Sequence, residues 1–171
     1  IECETYIVRR DPSAHNGIAP NDPRDTIAKA AYDASLTLMN LEFLNEIVSA
    51  MNALSWEVHS FDHEDGIGQF EVDFRYADAL TMADRYVFFR LMAHEIARKH
   101  GGFATFMPKP YADRAGSGAH YNMSIYDKKS GKEVWNTKRT VEITWSTPVL
   151  VQSGGRTELV TETRVRCADA A

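Results

Sequence analysis

Cysteine is scarce: Cys3 and Cys167 are the only two, far apart along the chain. Two cannot build a disulfide framework, and they point to a reducing, cytoplasmic compartment. Long apolar runs are missing as well. No stretch reaches the roughly 20 apolar residues that span a bilayer as a helix, and no signal-peptide pattern is visible. Positive charge is not in excess, since 19 Lys and Arg stand against 24 Asp and Glu for a net charge of −5. Such a chain has no basic field to hold nucleic acid or an acidic membrane surface. An initial Met is lacking, and the first residues already read as a strand. The chain is therefore expected to be a fragment, cut upstream within something larger.

What is present is ordinary for a globular protein: 44% hydrophobic and 25% charged residues over 171 positions. That is enough for one domain with a real core, or for two small ones. Ile1 to Val8 is rich in β-formers and reads as a strand, followed by a Pro, Asn, Gly and Asp-rich loop from Arg10 to Pro23. From Leu41 the spacing becomes helical, with Leu44, Ile47, Val48 and Met51 on one face and Asn40 as the expected N-cap. Trp56 to Phe61 and Gln69 to Phe74 read as strands around a glycine-containing turn. In the second, Phe70, Val72 and Phe74 face one way, and Gln69, Glu71 and Asp73 the other. A long helix is predicted from about Ala77 to His100, stopped by Gly101-Gly102. Its packed stripe is expected along Ala83, Val87, Leu91 and Phe88, Met92, Ile96, so Leu91 should be a core residue. Phe103 to Met107 and His120 to Tyr126 complete the strands, with Arg114 to Gly118 as a loop. The whole reads as α+β, an antiparallel sheet flanked by helices. From residue 125 the texture changes to short all-β hairpins without a helix. A boundary is placed near 124, giving an α+β part over 1–124 and a β-hairpin tail over 125–171.

Four carboxylates and one histidine stand out. Glu2 and Glu4 are two apart on a strand and share a face; Glu64 precedes the glycine turn, Glu71 follows it, and His120 follows Gly116-Ser117-Gly118-Ala119. Clustered carboxylates repel unless a cation neutralises them, and Mg²⁺ or Mn²⁺ prefers such oxygen ligands, with imidazole acceptable to Mn²⁺. Two Glu on an edge strand are more often simply solvated, and a His after a glycine-rich loop is more often an ordinary histidine. Periodicity alone does not bring these five together.

Three segments carry more information. Gly68-Gln69-Phe70-Glu71, then Ala104-Thr105-Phe106-Met107-Pro108-Lys109-Pro110, then Gly116-Ser117-Gly118-Ala119-His120 with Ser124, occur in this order. In order and spacing they resemble three consecutive signatures of the glutamine synthetase family. The stretch Tyr32 to Asn122 most resembles the branch with type III-like glutamine synthetases and glutamate–methylamine ligases. The resemblance covers Ile1 to about Ser124. It implies an ATP-dependent ligase that joins glutamate to ammonia or methylamine through γ-glutamyl phosphate, with Mg²⁺ or Mn²⁺ as cofactor and ATP as substrate. It implies Glu4, Glu64 and Glu71 as ligands of a first metal, and Glu2 and His120 as ligands of a second. Gly116 falls in the loop that contacts glutamate, while Asn122 and Ser124 lie where the family contacts the nucleotide. No residue here is given a catalytic acid, base or nucleophile role; the chemistry implied is positioning and charge neutralisation. The family forms large homo-oligomers.

Some positions depart from the family pattern. Ala115 stands where many members have Asn, Asn122 where many have His, and the Glu64–Glu71 loop is one residue short of the common bacterial type. The family's N-terminal β-grasp domain and arginine-rich C-terminal half have no counterpart here, so the chain is expected to be inactive alone. Its tail, Tyr126 to Trp135 with Trp145 to Val149, resembles a blade of a quinoprotein-type β-propeller. The alternative function is a non-catalytic metal- or nucleotide-binding scaffold, or a propeller-type interaction fragment.

Overall fold

A computed structural model describes residues 1–122, 125–127, 129–135, 149–153 and 156–160. The chain divides into two compact units, Ile1–Asn122 and Met123–Ala171.

The first unit is organised by β1 (Glu2–Arg10), the strand on which every other neighbour depends. On one side it pairs with β4 (Gln69–Phe74) over Glu2–Tyr6 and with β2 (Ile18–Pro20) over Val8–Arg10. On the other it pairs with β5 (Phe103–Thr105) and β6 (Ala119–His120). Beyond β4 lies β3 (Val58–His63), and every pairing is antiparallel. The alternation read from the sequence of β4 has a structural consequence. Residues directly opposite in an antiparallel ladder share a face. Cys3 with Val72 and Thr5 with Phe70 therefore share the apolar face, while Glu4 with Glu71 and Tyr6 with Gln69 share the polar one.

Two helices cover the apolar face. Leu41–Ala53 (α2, after the six-residue α1, Ala34–Met39) buries Phe43, Leu44, Ile47 and Met51. Ala79–Lys99 (α3) buries Met82, Phe89, Ala93, Ile96 and Ala97. Both join one core with Cys3, Ile7, Phe70, Val72 and Phe74 of the sheet. The start of α3 is capped by Asp78, whose carboxylate accepts from the Thr81 N–H at 3.1 Å.

Two expectations are corrected. The stripe predicted for α3 is only partly in phase: Ile96 is buried and Met92 packs on the core, but Val87, Phe88 and Leu91 are 68%, 47% and 60% exposed. The helix carries apolar residues on more than one face, and the sheet selects the row with Ala93 and Ala97. Small side chains there let the backbone approach closely, which counting large apolar residues does not reveal. Leu91→Ala should accordingly change stability by no more than about 0.5 kcal/mol in urea unfolding, as for an exposed site. A loss of ~2 kcal/mol or more, the usual Leu→Ala range for a core, would place Leu91 in the core after all. Asn40 does stand at the N-cap position of α2, but its side chain donates back to the Leu36 carbonyl at 3.0 Å and finishes α1 instead.

In the second unit, β7 (Ile125–Tyr126) pairs with β8 (Glu133–Trp135) and β9 (Val149–Ser153) with β10 (Arg156–Val160), each antiparallel. The β7–β8 turn is held by Asp127, whose Oδ1 accepts from the Ser130 N–H at 2.6 Å and the Lys129 N–H at 3.1 Å. Trp145 and the segment 161–171 lie outside the described residues. Among the described residues, no helix is long and apolar enough to cross a membrane.

Candidate functional site

The polar face of the sheet gathers acids from three strands and a histidine from a fourth. Glu2 and Glu4 come from β1, Glu71 and Asp73 from β4, Asp62 from β3, and His120 arrives opposite Glu2 on β6. Glu64 follows β3, its N–H bonded to the Gln69 carbonyl at 2.9 Å, so it sits at the end of the same ladder. One ligand atom each of Glu2, Glu71 and His120 lies within 4.8 Å of the others. His120 Nδ1 is 3.0 Å from Glu2 Oε2 and 3.7 Å from Glu4 Oε1. Among the described residues, this compact triad thus draws one member from the first implied set and two from the second. Glu71 lies between the sets, paired across the ladder with Glu4.

The acids raise one another's affinity for protons. Glu71 is pushed up to about 8, first by burial and then by Asp73, Glu64, Glu4 and Glu2. Burial and the nearby Glu4 also raise Glu64 above the usual carboxylate range. Asp73 rises through burial, although the Ser60 hydroxyl, donating to it at 2.9 Å, works the other way. Carboxyls that resist ionisation together are the groups a divalent cation would stabilise in the charged form. Two oxygen-rich sets and one imidazole also suit Mg²⁺ or Mn²⁺ by donor chemistry.

Glu4 is the most enclosed of these acids, 6% exposed. Its Oε2 accepts from Gln69 Nε2 at 2.8 Å and from the Gly118 N–H at 2.9 Å. Asn122 donates to Glu2 Oε1 at 2.9 Å, so this residue, expected at the nucleotide, also holds a cluster carboxylate. Gly116 offers its carbonyl to Gln69 Nε2 at 3.1 Å. The following Ser117 N–H bonds the Pro108 carbonyl at 2.8 Å, which ties the loop to the Ala104–Pro110 segment. Ser124 lies outside the described residues.

Sequence reading missed the groups that hold this face in place. His63 and Asp25 form a buried pair at 2.8 Å, their side chains 0% and 1% exposed. Burial alone would lower the His63 pKa, but Asp25 outweighs it and raises it; both ring nitrogens face acceptors. Nδ1 then bonds the Glu64 carbonyl at 2.7 Å, while Asp25 Oδ2 also accepts from the Gly68 N–H at 2.6 Å. The pair clamps both ends of the turn that presents Glu64. Its two residues are 38 positions apart, and no local pattern connects them. Gln69 had a signal, since it stands on the polar side of β4 beside Glu71, but two of its partners, Glu4 on β1 and Gly116, are distant in sequence.

A family model described as glutamine synthetase, catalytic domain, matches residues 1–163, a span that includes much of the tail. The chain is 41% identical over 112 residues to a glutamate–methylamine ligase of Methyloversatilis universalis, covering 66% of this chain and 25% of that protein. It is 39% identical over 127 residues to a glutamine synthetase of Rhizobium meliloti, covering 74% and 28%. Among solved structures, ligand-free GmaS superposes with a TM-score of 0.72 at 40% identity, over 81% of this chain and 32% of that one. The chain thus spans only about a quarter to a third of the length of these relatives.

Proposed function

The chain belongs to the glutamine synthetase catalytic-domain family, and on that premise we propose that it is part of an ATP-dependent ligase joining glutamate to ammonia or an amine. The observation that supports this most is the acid face itself. Glu2, Glu71 and His120 converge within 4.8 Å, and Glu71 is held up to about 8 by burial and then by its acidic neighbours. In this reading Glu4, Glu64 and Glu71 hold one Mg²⁺ or Mn²⁺, while Glu2 and His120 contribute to a second. Bound there, the ions would neutralise charge on the nucleotide phosphates and the substrate carboxylate.

The protein's own groups do the rest. β1 and β4 set the spacing of the carboxylates through a fixed ladder register. The Asp25–His63 pair fixes the turn that carries Glu64. The Gly116–Gly118 loop lies against Glu4, where a glutamate held by its backbone would sit beside the first ion. Asn122, with its amide on Glu2, is where the nucleotide would approach. ATP and glutamate as substrates, a cytoplasmic location and a large homo-oligomeric parent all belong to this same proposal. The 41% identity to a glutamate–methylamine ligase supports methylamine beside ammonia as the amine.

Phosphoryl transfer depends on positive groups around the moving phosphate, and one lost stabilising donor can cost about 10²–10³ in rate. The chain spans 25% and 28% of two relatives that carry such names. The 171-residue chain alone is therefore expected to bind Mn²⁺ without turnover. The check is a coupled ADP-release assay with glutamate, ATP, Mn²⁺ and either ammonia or methylamine. Amine-dependent ADP release that disappears in Glu71→Ala would show that this chain is a complete ligase.

A further inference from the structure

Gln69 uses both amide N–H donors and its amide oxygen on three separate segments. Its side chain is fully buried. Nε2 donates to Glu4 Oε2 on β1 and to the Gly116 carbonyl, and Oε1 accepts from the Gly66 N–H at 2.9 Å. These partners fix the orientation of the amide. Turned over, its oxygen would face two acceptors and its nitrogen a donor.

The loop that Gly116 belongs to is bound to the same strand at two further points. Tyr6 donates its hydroxyl to the Ala115 carbonyl at 2.6 Å, and the Gly118 N–H donates to Glu4 Oε2. There is no slack at either glycine. A methyl on Gly66 would overlap the Tyr6 hydroxyl, and one on Gly118 would stand 2.9 Å from Glu4 Oε1 and 2.8 Å from His120 Nε2. With Oε2 committed to two N–H donors, Glu4 has Oε1 left for another partner, the oxygen that faces His120.

We propose that Gln69 is a positioning residue that couples the Gly116–Gly118 loop to the metal-facing carboxylate of Glu4. The inference rests on the metal reading of Glu4 given above. Gln69 turns Glu4 so that one oxygen meets the ion, and the same amide holds the loop carbonyl. A loop shifted by an incoming amino acid and an ion bound at Glu4 therefore act on shared hydrogen bonds. Binding at one alters affinity at the other, and the effect is reciprocal.

The test uses the full chain, with Mn²⁺ alone as the probe. Affinity is measured by electron paramagnetic resonance of free Mn²⁺, and loop order by hydrogen exchange of the Gly118 amide. In the wild type, Mn²⁺ should slow exchange at Gly118. Gln69→Met keeps the shape and loses all three bonds. It should weaken Mn²⁺ binding by roughly 10–100-fold, as loss of an outer partner of a metal ligand does. At saturating Mn²⁺, Gly118 should no longer be protected, an uncoupling that a merely weakened fold would not produce. Should Gln69→Met not fold, Gln69→Glu carries the test, because it keeps an acceptor for Gly66 and loses the donor to Glu4 and Gly116. Wild-type affinity with Gly118 still protected by Mn²⁺ in a folded variant overturns the proposal. Wild-type protein that ignores Mn²⁺, while a Gln69 variant still speeds Gly118 exchange in its absence, overturns the metal reading and supports the amide-to-loop link.

Discussion

Glu71→Gln should abolish Mn²⁺ binding by this chain. Glu71 lies across the ladder from Glu4, within reach of Glu2 and His120, and burial with four neighbouring acids pushes it up to about 8. The glutamine keeps the shape and hydrogen-bonding reach while removing the charge an ion would meet at the centre of the cluster. The loss should exceed the roughly 10–100-fold that follows from removing an outer partner. A second signature comes from the proton. Below about 8, wild-type Glu71 holds one that Mn²⁺ must displace, so calorimetry in buffers of different ionisation heat should show proton release. The variant should show none from this position.

The pH dependence of stability follows in sign. A carboxyl whose folded pKa is raised contributes fully below its unfolded pKa, and that contribution is lost as pH rises through about 8. Metal-free protein should therefore melt at a lower temperature on the alkaline side of that value. Mn²⁺ should reverse the trend, and Glu71→Gln should flatten it. Unchanged Mn²⁺ affinity in Glu71→Gln would remove Glu71 from the ligand set.

Phe89→Ala should destabilise the first unit by about 3–5 kcal/mol, the usual cost of emptying an aromatic site in a core. Phe89 is fully buried in the core on the apolar face of the sheet. Its ring lies 6.4 Å from Phe74 and 5.9 Å from Phe106. Set against the roughly 5–15 kcal/mol that holds a typical domain together, this is a large fraction. The damage should extend to the polar face. Phe106 also meets Tyr86, which in turn meets Tyr121 beside His120 and Asn122, so the packing of α3 supports the strand end that carries the histidine. Urea unfolding with an unchanged slope is the measurement. A loss under about 1 kcal/mol, the ordinary mean for any substitution, would mean that α3 is not docked on this face.

Residue spacing made some parts of this structure legible. Gln69 to Phe74 was readable to the residue, because period-two alternation declares both the strand and its two faces. Once β4 is placed, its register with β1 carries Glu4 to Glu71 and Tyr6 to Gln69. The five metal-ligand candidates lie on the polar face, on β6 or at the end of its ladder.

Other parts had no local signal. The phase of α3 was partly misread because apolar residues lie on both sides of it, and the packed row was marked by alanines. The three-residue β2 fell within a stretch that reads as loop, and the short α1 in one with no assigned element. The turn before α1 places Lys29 and Tyr32 at φ 57° and 65°, and neither residue type announces a left-handed backbone. Asp25 with His63, and Gln69 with Gly116, are contacts between distant segments. They depend on the fold being closed, so no window along the chain contains them.

The polar face of this sheet is proposed above as a divalent-metal centre. Anomalous diffraction from crystals of the chain soaked in Mn²⁺ tests it most directly. The predicted result is an anomalous peak at the Glu71 carboxylate, with oxygens of Glu4 and Glu64 at bonding distance. Crystals that show Mn²⁺ only at sites remote from Glu71, or none at all at saturating concentration, would contradict it.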